Sequence, residues 1–134
     1  MRAFHLDSSM TNMFGSFYPT GWMVLMFPSE QQARDAGQLL AGAGFADEAL
    51  MLLTPADVRV HLVGVKGDEN ILPSAGSEGD TVRKFAEMAA QGHRGLMVKA
   101  PDQEDADRVT TLLKDAAISY GQRYRKLVIE DVVS

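Results

Sequence analysis

The chain has 134 residues, 46% hydrophobic and 23% charged, and its 13 basic and 18 acidic side chains give a net charge of −5. That length suits one domain with a sizeable core, and the composition argues against wholesale disorder. No apolar run approaches the ~20 residues of a membrane span, the lack of cysteine excludes disulfides and thiolate metal sites, and the acidic balance argues against a broad nucleic-acid surface. No apolar segment follows Arg2, so no secretory signal is expected and a cytoplasmic protein is the default reading.

Residues 1–20 read as an arm ahead of a single domain at 21–134. The arm has no sustained period, yet Phe14, Phe17, Tyr18 and the adjoining Trp22 are four of the chain's ten aromatics. Solvated tails are poor in aromatics. The arm is therefore expected to pack, either on its own domain or on a second subunit.

Residues 21–27 (Gly-Trp-Met-Val-Leu-Met-Phe) form an apolar run stopped by Pro28, the pattern of a strand buried on both faces. Ser29 follows as a helix cap with Gln32 at the capping-box position; Ala33, Ala36, Gly37, Leu40 and Ala43 repeat at helical spacing, and Gly44 closes the helix. Residues 49–54 make a second strand. Val58, Val60 and Leu62 alternate as a strand would, but Thr54-Pro-Ala-Asp57 is a helix start, and a short helix from 55 to about 64 is the preferred reading. A glycine- and acid-rich loop spans 66–80. Beyond it lie a helix with Val82, Phe85, Ala86 and Ala89 on one stripe and Gly92 as its stop, then a strand at 95–100. Asp102 caps a last helix carrying Ala106, Val109, Leu113 and Ala116, and residues 127–133 form a C-terminal strand.

This order predicts an α+β ferredoxin-like sandwich: a four-stranded, mainly antiparallel sheet, helices on one face, and a helical insertion after the second strand. A small parallel three-layer fold is the competitor, with too little helical mass. The doubly apolar first strand implies a cover for the second sheet face, supplied by the arm or by a dimer partner.

The candidates for chemistry are sparse. His5, His61 and His93 have no ligand-like spacing, so no metal site is expected. There is no Gly-x-Ser-x-Gly elbow, and Asp68/Glu69, Asp105/Asp107 and Glu130/Asp131 each have a structural explanation in a loop, a helix start or a strand. The turn at 76–81 resembles a phosphate cradle, but Glu78 and Asp80 would repel an anion. The expectation is a protein without catalytic residues or cofactor.

Tyr120, Arg123, Tyr124, Arg125 and Lys126 form the one basic–aromatic cluster. It could stack bases, or shield a helix-to-strand connection from aggregation. With His93 and Arg94 nearby it would form a small anion pocket, walled by Tyr18 and Trp22. The candidate ligand set is thus Tyr18, Trp22, His93, Arg94, Arg123 and Arg125. The string at 17–22 (Phe-Tyr-Pro-Thr-Gly-Trp) reads as a turn feeding the first strand or as a dimer arm, making Phe14, Phe17, Tyr18 and Trp22 the candidate interface.

Residues 26–33 (Met-Phe-Pro-Ser-Glu-Gln-Gln-Ala), 43–45 (Ala-Gly-Phe), 53–57 (Leu-Thr-Pro-Ala-Asp) and 100–109 (Ala-Pro-Asp-Gln-Glu-Asp-Ala-Asp-Arg-Val) together resemble the small bacterial general-stress domains of YflT-like type. The resemblance spans roughly 21–133. It implies a ferredoxin-like, stress-associated domain with no family catalytic residues; the aromatic arm and the longer loop at 66–80 depart from it. The expected function is that of a non-catalytic stress-associated or regulatory protein acting through homodimerisation and contact with another protein. A small anionic-ligand sensor is the alternative.

Overall fold

The structure, a computed structural model, describes residues 1–11, 17–63, 77–125 and 128–132. Phe14, residues 66–76 of the expected loop and Lys126 lie outside the described residues; the last four residues of that loop, 77–80, instead begin a helix. Among those described, the elements are β1 (Arg2–Ala3), β2 (Trp22–Phe27), α1 (Glu30–Gly42), β3 (Leu50–Leu53), α2 (Pro55–Asp57), a π-helical turn (Val58–Val63), α3 (Ser77–Ala90), β4 (Arg94–Lys99), α4 (Gln103–Leu112), β5 (Tyr120–Arg125) and β6 (Val128–Asp131). They build an α+β fold on one open, mixed sheet ordered β1-β3-β4-β2-β5-β6. Only β1 and β3 run parallel; the remaining pairs are antiparallel.

Capping chemistry places the helices where the sequence marks them. The Ser29 hydroxyl accepts the Gln32 amide at 3.2 Å, although the Gln32 side chain binds that hydroxyl instead of reaching back to the backbone. Helix α1 buries Ala33, Ala36, Gly37 and Leu40. Its small residues let it sit close to the sheet, and the Met1 thioether lies against Gly37. Gly44 takes the turn out at φ +107°, a conformation costly for other residues. At Thr54 both capping-box bonds form, at 3.1 and 3.0 Å, so the segment begins as a helix. It then widens into the π turn, which buries Val58 and Leu62. Helix α3 buries Thr81, Phe85 and Ala89, leaving Val82 and Ala86 half-buried at the margin of the expected stripe. Asp102 accepts the Asp105 amide at 2.9 Å to start α4.

Strand β2 is the centre, and all six of its residues are buried. Met23, Leu25 and Phe27 point to one face, where they join Leu50, Leu96 and Val98 beneath α1 and α4. Trp22, Val24 and Met26 point to the other, with Met51, Met97, Tyr120 and Tyr124 beneath Met10 of the arm, the π turn and Phe85 of α3. Such division follows from the period-two alternation of strands.

Two expectations are corrected here. The sheet has more than four strands, because residues 120–125 are a strand and not a connection, and the arm adds β1. Tyr120, Gln122 and Tyr124 alternate with Gly121, Arg123 and Arg125, a period masked in the sequence by charge. Helices do not lie on one face alone, since α3 and the π turn cover the face opposite α1 and α4.

The described part of the arm packs on its own sheet. Phe4 donates its amide to the Leu52 carbonyl at 2.9 Å, Met10 is fully buried, and Thr11 bridges to Phe17. The chain then runs to β5, where the Gly21 amide donates to the Tyr124 carbonyl at 2.8 Å. Phe4, Phe17 and His61 of the π turn form a three-ring cluster, the phenyl centroids 4.9 and 5.8 Å from the imidazole and 6.0 Å from each other.

Candidate functional site

The six residues of β2 separate the sequence-derived ligand residues into two groups. Trp22 opens the strand and Arg94 lies opposite Phe27 at its end, about 17 Å away at strand rise. At the Trp22 end, Tyr18 donates its hydroxyl to the Arg125 carbonyl at 2.6 Å and meets Tyr124 edge-on at 5.2 Å. Trp22 is buried in the same cluster. Arg123 leaves the other face, donating to Gln103 Oε1 of α4 at 2.9 Å. Arg125 is exposed. The aromatic wall and Arg123 are therefore on opposite sides of the sheet, and these residues do not converge on one pocket. Of the interface candidates, Phe17, Tyr18 and Trp22 pack within their own chain.

His93 and Arg94 belong to the other end, where the structure gathers different partners. Gly92 ends α3 at φ +85°, and the His93 amide donates to the Met88 carbonyl at 2.9 Å. The imidazole Nδ1 lies 2.8 Å from the Ser119 hydroxyl, and the Ser119 amide is itself fixed on the Met26 carbonyl at 2.8 Å. The pair thus ties β4 to the start of β5 across the end of β2. On the α1 face, Arg94 approaches Glu30 at 3.5 Å, while Glu30 binds Arg34 at 2.9 Å. On the opposite face, Lys84 of α3 places its ammonium 5.3 Å from the centroid of Tyr120, and among the described residues it makes no ion pair.

This end of the sheet offers donors to an anion. If Ser119 donates to Nδ1, the imidazole keeps an N–H on Nε2. If Nδ1 donates to Ser119, the hydroxyl hydrogen stays available. A protonated imidazole leaves both. Arg94 and Lys84 add charge from the two faces, in a chain whose overall balance is acidic. Nucleophilic catalysis needs more: a third group to orient the base and paired oxyanion donors.

Ser119 and Lys84 are absent from the sequence-derived set. Recognising the alternation at 120–125 as a strand would have put Ser119 at its entry, facing the end of β2. Lys84 carries no local signal. Among the described residues no three His or carboxylate side chains converge as metal ligands, and no helix is long and apolar enough to cross a membrane. The other titratable group of note is Asp7 in the arm, whose carboxyl the Ser9 hydroxyl, aided by the Ser9 amide, holds below its ordinary range.

Compared with family models, curated proteins and solved structures, the chain finds no match in any of the three.

Proposed function

We propose that the chain is an elaborated ferredoxin-like domain that binds a small anion, without catalysis, where His93, Ser119, Arg94 and Lys84 frame one end of the sheet. The β-α-β-β-α-β order from β2 to β5, with its antiparallel strand order β3-β4-β2-β5, supports the ferredoxin-like reading. Strands β1 and β6 and the passage through α3 are additions to that core. The observation that carries the binding reading is the 2.8 Å His93–Ser119 hydrogen bond, beside Arg94, which shares the Glu30 carboxylate with Arg34. Calorimetric titration with sulfate and inorganic phosphate tests it. Binding should weaken about tenfold in Arg94→Met, the worth of one charge-assisted hydrogen bond. Equal heats for the parent and the variant would remove the site.

A second reading is a regulatory protein that acts as a homodimer or through another protein. The observation in its favour is that the outer edge of β6 pairs with no strand among the described residues, and open edges invite a further strand. Its original support, an uncovered sheet face, is weakened because the arm and α3 cover that face within one chain. Light scattering during size exclusion decides it: a monomer at high micromolar concentration would end the dimer reading. A stress-associated setting is proposed on the YflT-like motifs alone, and a cytoplasmic one on the cysteine-free composition.

A further inference from the structure

Independently of any anion, we infer that Ser119 is an acyl acceptor, its hydroxyl taking the acyl group of an activated ester with His93 as the base. The partner of this serine carries the inference. Ser9 gives its hydroxyl to the Asp7 carboxylate, and Ser29 sets its own on the amide and side chain of Gln32 as a helix cap. A carboxylate is a weak base, and an amide is none. The Ser119 hydroxyl instead lies 2.8 Å from His93 Nδ1, and imidazole is the side chain that accepts a proton near neutral pH. Neither group is sealed. His93 and Ser119 are both half-buried, so a small ester reaches them from solvent.

The backbone prepares the pair before any ester arrives. The His93 amide is held on the Met88 carbonyl at 2.9 Å and the Ser119 amide on the Met26 carbonyl at 2.8 Å. Helix α3 and strand β2 therefore fix nucleophile and base against each other, and little orientational freedom is left to lose. With its hydrogen on Nε2, the imidazole presents the Nδ1 lone pair to the hydroxyl. Ser119 Oγ then adds to the ester carbonyl carbon while Nδ1 takes the hydroxyl proton. The carbonyl re-forms as the bond to the leaving oxygen breaks. That oxygen departs with the electron pair, the imidazolium returns its proton to it or to solvent, and an ester remains on Ser119. The step ends there. Among the described residues the imidazole has no carboxylate partner, and rapid hydrolysis of the ester would need that orienting group together with paired oxyanion donors. One acyl group per chain is the consequence.

The test exposes the full chain to p-nitrophenyl acetate, alongside Ser119→Ala, His93→Gln and, as a control hydroxyl, Ser9→Ala. Glutamine keeps a hydrogen-bond partner for Ser119 but accepts no proton. Thermal melts confirm that each variant is folded. The parent should release a burst of one nitrophenolate per chain, and peptide mass mapping should place the acetyl group on Ser119. Acetylation of Ser119 should slow about a hundredfold in His93→Gln, the lower end of what a positioned base contributes. It should vanish in Ser119→Ala and keep the parent rate in Ser9→Ala. Acetyl groups found only on lysines, the amino terminus or His93 overturn the inference, as does a Ser119 that reacts at the parent rate in His93→Gln. The sulfate and phosphate titrations report on the anion reading separately, so either reading can fail while the other stands.

Discussion

The two faces of this sheet are covered by chain of opposite character. Beneath α1 and α4 the layer is mainly aliphatic, built from Met23, Leu25, Leu40, Leu96 and Val98 with Phe27, under Ala33, Ala36 and Ala106 of the helices. Beneath the arm and α3 it is made of methionine, aromatic rings and polar groups. Gln122, one of its buried members, donates to the Tyr120 hydroxyl at 2.7 Å. All three tyrosines and the tryptophan of the chain are on this second face. The first face is closed by capped helices that hold their own shape. The second is closed by α3, the π turn and an arm that has little regular structure of its own. Flexible methionines and large rings suit an irregular cover, because they fill gaps that no regular helix ridge would fill.

That contrast can be broken first at its strongest point. Phe27→Ala empties a fully buried position under α1 and α4 and should cost about 3–5 kcal/mol, whereas Met10→Ala within the arm should cost about 2–3, because an irregular cover can settle into the space. Urea unfolding of both variants measures the difference; equal losses would show that the arm face is as rigid as the helical one. Gly95→Ala comes next. Its added Cβ would lie 2.9 Å from Leu53 Cδ1 and 3.1 Å from Leu53 Cβ, so overpacking of about 1–3 kcal/mol is expected on the same assay. Gly37→Ala should go the other way. Its Cβ meets the mobile end of the Met1 side chain, which can swing aside, and alanine is favoured over glycine within a helix by roughly 0.5–1 kcal/mol. A higher melting temperature is the expected outcome, and a lower one would mean that Met1 docking on α1 matters more than helix propensity.

The smallest effect is electrostatic. Asp7, held below its ordinary range by Ser9, contributes stability above its unfolded-state pKa and loses it as pH falls through the lower folded-state value. The group is exposed, so Asp7→Asn should leave stability at neutral pH nearly unchanged and flatten the acid limb of the pH–stability curve. An unaltered acid limb would mean that the Ser9 contact does not persist in solution.

The contrast between the faces also explains what could be read in advance. Ser29, Thr54 and Asp102 start their helices as capping chemistry requires, and β2 is buried on both sides as its unbroken apolar run demands. These signals are local: a hydroxyl or carboxylate meets an amide three residues on, and a period repeats within one segment. Strand β5 escaped because its buried face carries Tyr120, Gln122 and Tyr124 beside two arginines, and polar alternation resembles a solvated connection until the partner strand is known. Residues 120–125 therefore changed the topology as well as the site.

The sequence alone determined the capped helices, the double burial of β2, the helical passage after β3 and the acidic, cysteine-free composition, because each depends on residues close together in the chain. Only the tertiary structure decided that the arm covers its own sheet, that α3 and the π turn occupy the face opposite α1, and that Arg123 turns away from Tyr18 and Trp22. It also brought His93 to Ser119, 26 residues distant. Antiparallel register is the reason: Arg94 is set opposite Phe27, and Met26 opposite Tyr120, which carries His93 and Ser119 to the same end of β2.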